Sequence, residues 1–336
     1  GGMKSVLYTS VLQTPILLLG SLIILVLGFK ELGGWDEMMR VCGAVTVNDY
    51  GDTMTNLIRS NDDANFPWLG ALIGSAIIGF WYWCTDQFIV QRVLSGKNEM
   101  EARRGTIFGA YLKLLPVFLF LIPGMIAFAL HQKYIGAGGE GFLPMLENGT
   151  ANADAAFPTL VAKLLPAGVK GLVVCGILAA LMSSLASLFN SSAMLFTIDF
   201  YKRFRPQTSE KKLVGIGQVA TVVIVILGIL WIPIMRSVGD VLYTYLQDVQ
   251  SVLAPGIAAA FLLGICWKRT SAQGGMWGLI SGMVIGLTRL GAKVYYSNAG
   301  EVADSTFKYL FYDMNWLFFC GWMFLFCIIV VIVVSL

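Results

Sequence analysis

The sequence predicts an all-α polytopic membrane protein. Two compositional facts carry that expectation: 57% of the 336 residues are hydrophobic while only 13% are charged, and mean hydropathy is +0.74. Soluble domains carry about 25% charged residues, so too few are present here to cover a water-facing surface. The third observation is that the apolar residues gather into runs of about 20, the length that crosses a bilayer as a helix.

Those runs fall at roughly 5 to 29, 67 to 91, 105 to 130, 169 to 200, 213 to 235, 241 to 266, 273 to 292 and 314 to 336, about eight predicted transmembrane helices in a single domain over 1–336. The first run begins almost at residue 1, with no initiator methionine there and no signal peptide with a cleavage site. The chain therefore reads as cut from something longer.

The second run, FPWLGALIGSAIIG, continues into FWYWCTDQFIVQR. Aromatic Trp81, Tyr82 and Trp83 precede Asp86 and Gln87, just before Arg92. Aromatics at a membrane interface usually form a belt. Three consecutive residues point to three sides of a helix, however, so at least one of these rings must face protein or a cavity.

The third run, GTIFGAYLKLLPVFLFLIPGMIAFAL, carries Lys113 with no acidic neighbour one turn away. A central lysine costs about 2.5 to 3.5 kcal/mol on insertion scales. Either it snorkels to the interface, or it is an interior functional lysine, the reading its depth favours. Pro116 and Pro123 follow, each removing a backbone donor. The carbonyls they free either bind an ion or water or mark simple kinks.

In the fourth run, LAALMSSLASLFNSSAMLF, residues Ala180, Ser183, Ser184, Ser187 and Ser191 share one helix face. Small residues on one face pack helices closely. Hydroxyls together with backbone carbonyls also suit a small hard cation.

The sixth run begins VLYTYLQDVQSVLAPGIAAAFLLG, with Tyr243, Gln247 and Gln250 at helical spacing, Asp248 beside them and Pro255-Gly256 beyond. Asp248 and Gln250 read as the aqueous end of the helix, whereas Gln247 reads as facing a cavity.

If residue 1 is cytoplasmic, the short inner segments hold twelve basic residues, from Lys4 to Arg269, against few acidic ones, and the longer outer segments hold more acidic than basic residues. Lysine and arginine density in short loops sets orientation, so both ends are expected in the cytoplasm of a cell membrane, plasma or inner. The triplet Asn148-Gly149-Thr150 would then face outside as an N-glycosylation acceptor. Loops 31 to 66 and 293 to 313 carry no interpretable motif.

Several function classes drop out. One histidine, His131, and no clustered Cys or His leave no metal enzyme and no Cys/His nucleophile pair. Five of six cysteines, Cys84, Cys175, Cys266, Cys320 and Cys327, lie in apolar runs, so no disulfide framework is implied. A net charge of +3 without a basic patch does not suggest nucleic acid.

WYWCTDQFIVQR, GAYLKLLPVF, LMSSLASLFNSSAMLFTIDFY, YLQDVQSVLAPGIAAAFLLGICWKR and the opening GGMKSVLYTSVLQT occur in this order. Together they resemble the sodium/solute symporter family, most closely the sodium/glucose cotransporters. The resemblance runs along essentially the whole chain. It implies a LeuT-type core of two inverted five-helix repeats with substrate near the midplane, here from the fifth core helix onward. The first four core helices of the same protein would then be missing partners, and the fragment alone should not transport.

Residue by residue, the resemblance implies sugar-site roles for Lys113 and Gln247, an inner gate at Tyr82 flanked by Trp83 and Gln87, and an outer gate at Tyr243, where phenylalanine is common. It also implies a sodium site from the Ala180 carbonyl and the Ser183 and Ser184 hydroxyls. Some members place an aspartate at the position of Ser10 and a hydroxyl at that of Ala186, so one sodium ion per sugar is expected. Gly79 replaces a polar, often sugar-contacting side chain, which leaves the sugar open. The implied activity is sodium-coupled symport of a glucose- or galactose-like hexose by alternating access. Myo-inositol, another sugar or a sialic-acid-like anion remains an alternative cargo, and an uncoupled sugar-gated sensor or channel an alternative mechanism. No enzyme is expected, because no acid, base and nucleophile cluster together.

Overall fold

The computed structural model describes residues 3–146, 149–236, 242–298 and 303–336. Asn148, the acceptor residue of the glycosylation triplet, lies outside the described residues. In chain order the α-helices are α1 (Met3–Leu32), α2 (Trp35–Gly43), α3 (Trp68–Cys84), α4 (Gln87–Leu94), α5 (Glu99–Leu112), α6 (Ile122–Gly136), α7 (Ala156–Leu164), α8 (Ala167–Met194), α9 (Lys202–Phe204), α10 (Glu210–Arg236), α11 (Leu242–Cys266), α12 (Ala272–Asn298), α13 (Thr306–Lys308) and α14 (Trp316–Ser335). Wider π-helical turns occupy Val117–Leu121, Leu195–Tyr201 and Tyr309–Asp313. Only isolated β-bridges, such as Thr46 with Thr53, occur among the described residues.

Among the described residues, six stretches are long and apolar enough to cross a bilayer: Gln13–Leu32, Glu99–Gly136, Ala167–Phe204, Glu210–Pro233, Tyr245–Cys266 and Trp316–Ser335. The pair α3 and α4 qualifies together as a span bent by 50°. The remaining apolar run, 273 to 292, is helical as α12 but does not meet the same test. Its glycines and Arg289 dilute its hydropathy.

Two of the runs are interrupted, for reasons visible in their sequence. After Cys84 the backbone leaves the helix; the Thr85 hydroxyl donates to Trp81 O at 2.7 Å, and the Asp86 carboxylate accepts from Phe88 N at 2.9 Å at the start of α4. Asp86 thus satisfies one of the N–H groups that a new helix leaves unpaired. In the third run α5 ends at Leu112, and Lys113 follows at its C-terminus with its N–H shared between Gly109 O and Ala110 O, at 3.0 and 3.2 Å. Pro116 has no N–H to continue an α-helical ladder, and the π turn at 117–121 bridges to α6.

The chain divides into two compact units. The first comprises 1–47, 53–55 and 91–230. Within it α1 packs along α8 and against α6 and α7, and α2 closes on α6. Its core gathers Ile24, Leu32, Met38, Ile126, Leu130 and Leu160. His131 is 2% exposed and its Nδ1 accepts from Leu143 N at 2.9 Å, so the single histidine pins a loop to α6.

The second unit comprises 48–52, 56–90 and 231–336. In it α11, α12 and α14 pack mutually, and α3 lies against α11 and α14. Small residues set the spacing: a Cβ on Gly282 of α12 would come within 3.0 Å of Gly256 Cα on α11 and 3.1 Å of Cys327 Sγ on α14. Such close approach is how helices associate in lipid, where burial of apolar surface gives no advantage between them.

This seam makes a direct prediction. Gly282→Leu drives a branched side chain into the α11 backbone and lowers stability by about 1–3 kcal/mol or more, while Gly275→Leu, whose Cβ would meet nothing within 4 Å, is tolerated. Thermal unfolding of both detergent-solubilised variants checks the contrast.

Candidate functional site

In the first unit, α8 presents the serine face. Ser183 is half-buried and Ser184 exposed, whereas Ser187 and Ser191 are 1% and 3% exposed. The Ser10 hydroxyl of α1 lies 3.1 Å from that of Ser183. About two turns beyond, the Ser191 hydroxyl donates to Ser187 O at 2.6 Å and accepts from Gln91 Nε2 at 3.0 Å. The face therefore has two parts: a closed part, held by Gln91, and an open part at Ala180, Ser183 and Ser184. The open part offers neutral oxygen donors, the kind of ligand a hard cation takes. Gln91 was not legible as part of this network, because only tertiary packing brings it to α8.

Lys113 also belongs to the first unit, exposed at the end of α5 where the helix loosens into the π turn. Single π turns inside helices recur at functional sites.

The second unit holds the other predicted residues. The Tyr82 ring meets the Trp83 ring edge-on at 5.6 Å and the Trp81 ring at 6.4 Å, immediately before the break that leads to Gln87. On α11, Gln247 Nε2 donates to the Tyr243 hydroxyl at 3.2 Å. The Tyr243 ring lies 6.5 Å from that of Phe66, which in turn meets Trp316 edge-on at 6.3 Å. A Cβ added at Gly79 would meet nothing within 4 Å, so the place of a larger side chain there is open space.

Phe66 sits at the end of a loop that carries no sequence motif but is closely bonded. The Asp63 carboxylate accepts from Phe66 N at 2.7 Å, Asn65 N at 2.9 Å and Asn48 Nδ2 at 3.0 Å, with Arg59 3.6 Å away. Burial works to raise the Asp63 pKa, but these donors outweigh it and hold the carboxyl below its ordinary value. Asp52 is lowered as well, by the Asn48 amide and the Ser60 N–H.

The sequence reading of Asp248 as an aqueous helix end is corrected by the structure. Asp248 is 9% exposed and sits between two cations of α12: Lys293 Nζ at 2.6 Å from Oδ2 and Arg289 Nη2 at 3.4 Å from Oδ1. Arg289, which lies inside the predicted span at 273 to 292, is fully buried. An arginine inside an apolar run, SGMVIGLTRLGAKVYY, was the signal that could have found it.

The sequence profile of the Sodium:solute symporter family matches residues 1–282. The chain belongs to this family. It is 39% identical over 301 residues to sodium/myo-inositol cotransporter 2 of Homo sapiens, covering 86% of this chain and 45% of the relative. It is 38% identical over 363 residues to sodium/glucose cotransporter 1 of Ovis aries, covering 100% and 53%. A sodium/mannose cotransporter of Bos taurus is 39% identical over 307 residues, covering 86% and 50%. This symporter-family chain thus spans about half the length of the curated relatives it matches. The family and these relatives are transporters rather than enzymes, and the apolar helices make the chain a multi-pass membrane protein.

The Asp63 loop yields a pH prediction. Its folded pKa is depressed, so its contribution is fully present above the unfolded value of about 4 and is lost as pH falls through the folded one. Asp63→Ala leaves buried donors unpaired at about 1–3 kcal/mol. Hydrogen exchange at the Phe66 amide should accelerate in that variant at neutral pH, and in the parent only below about pH 4.

Proposed function

We propose that this chain is part of a carrier that couples sodium entry to uptake of a neutral sugar or polyol by alternating access, with a hexose of the glucose or galactose type as the first candidate. Family membership supports the coupling ion, and one structural observation carries the site: on α8 the Ser184 side chain is exposed, next to the half-buried Ser183, whose hydroxyl lies 3.1 Å from that of Ser10 on α1. Sodium is a substrate here, held by the Ala180 carbonyl and the Ser183 and Ser184 hydroxyls. Ser10 is neutral and already paired with Ser183, which supports one sodium ion per sugar.

A sugar offers only neutral hydroxyls and C–H faces. Lys113 and Gln247 donate to such hydroxyls, and Tyr82 with Trp83 supplies aromatic surface beside Gln87. Tyr243, tied to Gln247, closes the outer side and Tyr82 the inner. Sodium binding favours the sugar-competent state through its differential affinity for it. One charge crossing 100 mV supplies about 2.3 kcal/mol, and a tenfold sodium gradient adds about 1.4 kcal/mol. Together they sustain a several-hundred-fold sugar accumulation, as an order of magnitude. The carrier lies in a cell membrane with both ends of this stretch in the cytoplasm.

Myo-inositol is the second reading of the cargo. One relative is named for it and another for mannose, and Gly79 leaves open space beside the inner gate.

Uptake of labelled glucose, galactose and myo-inositol into proteoliposomes of the intact protein tests the reading. Sodium-driven accumulation should fall about tenfold or more in Lys113→Ala and in Ser184→Ala, since each loses a ligand-binding donor or acceptor. Uptake that ignores the sodium gradient, or both substitutions, defeats it. Gly79→Asn should fold like the parent and shift selectivity among the three solutes, read from competition for uptake.

A further inference from the structure

The charged cluster on α11 and α12 is not used by the function proposed above. One carboxylate, Asp248, faces two cations, Arg289 and Lys293, within the mutually packed helices of the second unit. Ionisable groups inside membrane helices are expensive and are retained where they act. This cluster carries a net charge of +1, which the surroundings answer. Arg289 donates to Met314 O at 2.8 Å and Leu310 O at 3.5 Å, and its guanidinium lies 4.1 Å over the Phe319 ring. Arg289 therefore joins α11 and α12 to the π turn at 309–313 and the start of α14.

Asp248 is the residue after Gln247, and successive helical residues point about 100° apart. Anchoring the Asp248 carboxylate to α12 fixes the rotation of α11 about its own axis at that turn. It thereby fixes where the Gln247 amide points. The α11–α12 seam is already tight, since a Cβ on Gly286 would come within 2.8 Å of Val252 O. The helices have little room to slide, and rotation is the freedom left for the ion pairs to remove.

We infer that Asp248, held by Arg289 and Lys293, is a positioning residue for solute recognition: it sets the orientation of Gln247 and so governs solute affinity without touching sodium. This rests on the reading of Gln247 as a solute ligand. Arg289 is the principal anchor, being fully buried with further partners, while Lys293 is partly exposed and pairs with Asp248 alone among the bonds described.

The test is transport kinetics of the intact protein in proteoliposomes. Asp248→Asn should raise the solute KM about tenfold, a loss of about 1.4 kcal/mol, with sodium half-saturation unchanged. Asp248→Glu, which keeps the carboxylate, should restore most of the affinity, and Lys293→Gln, which leaves the arginine pair, should stay within about threefold of the parent. A merely structural ion pair would instead lower the amount of folded protein and the maximal rate at unchanged KM. That result, or a parallel loss of sodium affinity, overturns the inference.

A second readout does not depend on transport. In a background with Cys84, Cys175 and Cys266 replaced, the three exposed cysteines, Gln247→Cys is modified by a methanethiosulfonate reagent. Asp248→Asn should change that rate about fivefold or more, and Lys293→Gln should not. Unchanged rates overturn the positioning role even if uptake is sodium-driven. Changed rates in a protein with no sodium-driven uptake sustain the positioning of residue 247 and defeat the transport reading instead.

Discussion

Lipid supplies no hydrogen bonds, so every backbone N–H and C=O in a span must be paired by the chain itself. Most of this protein obeys that constraint by the simplest means, uninterrupted helix. It departs from it at a few points, and at each the sequence provides a substitute. Thr85 and Asp86 bond the backbone where α3 gives way to α4. The N–H of Lys113 is shared between two carbonyls where α5 ends before Pro116. At the π turn of 309–313, Arg289 reaches the carbonyls of Leu310 and Met314.

The residues with the strongest chemistry gather at these departures. Tyr82, Trp83 and Gln87 flank the first break, Lys113 stands at the second, and the Asp248 cluster adjoins the third. The link is physical: a loosened helix frees carbonyls and needs polar side chains nearby, and polar side chains in lipid need partners that only loosened backbone or other polar groups supply.

Close packing of small residues complements these polar points. Gly282 against Gly256 lets α11 and α12 touch backbone to backbone, which leaves the Asp248 ion pairs to define the remaining rotation. The serine face of α8 follows a similar division. Gln91 consumes the hydroxyl of Ser191, while Ser183 pairs with Ser10 and Ser184 stays exposed.

By itself the sequence determined the fold class, because hydropathy reports directly which segments prefer lipid. It also marked Lys113, Gln247 and the serine stripe, since a polar group in an apolar run is conspicuous wherever the run ends up. Asp248 was misread as a wet helix end, and Arg289 drew no comment, because their burial and pairing depend on which helices lie beside them. The pairing of Ser10 with Ser183, 173 residues apart, and of Gln91 with Ser191 belongs to the same class. Only the tertiary structure decided these, for the physical reason that one-dimensional periodicity says which face a residue occupies and never what that face meets.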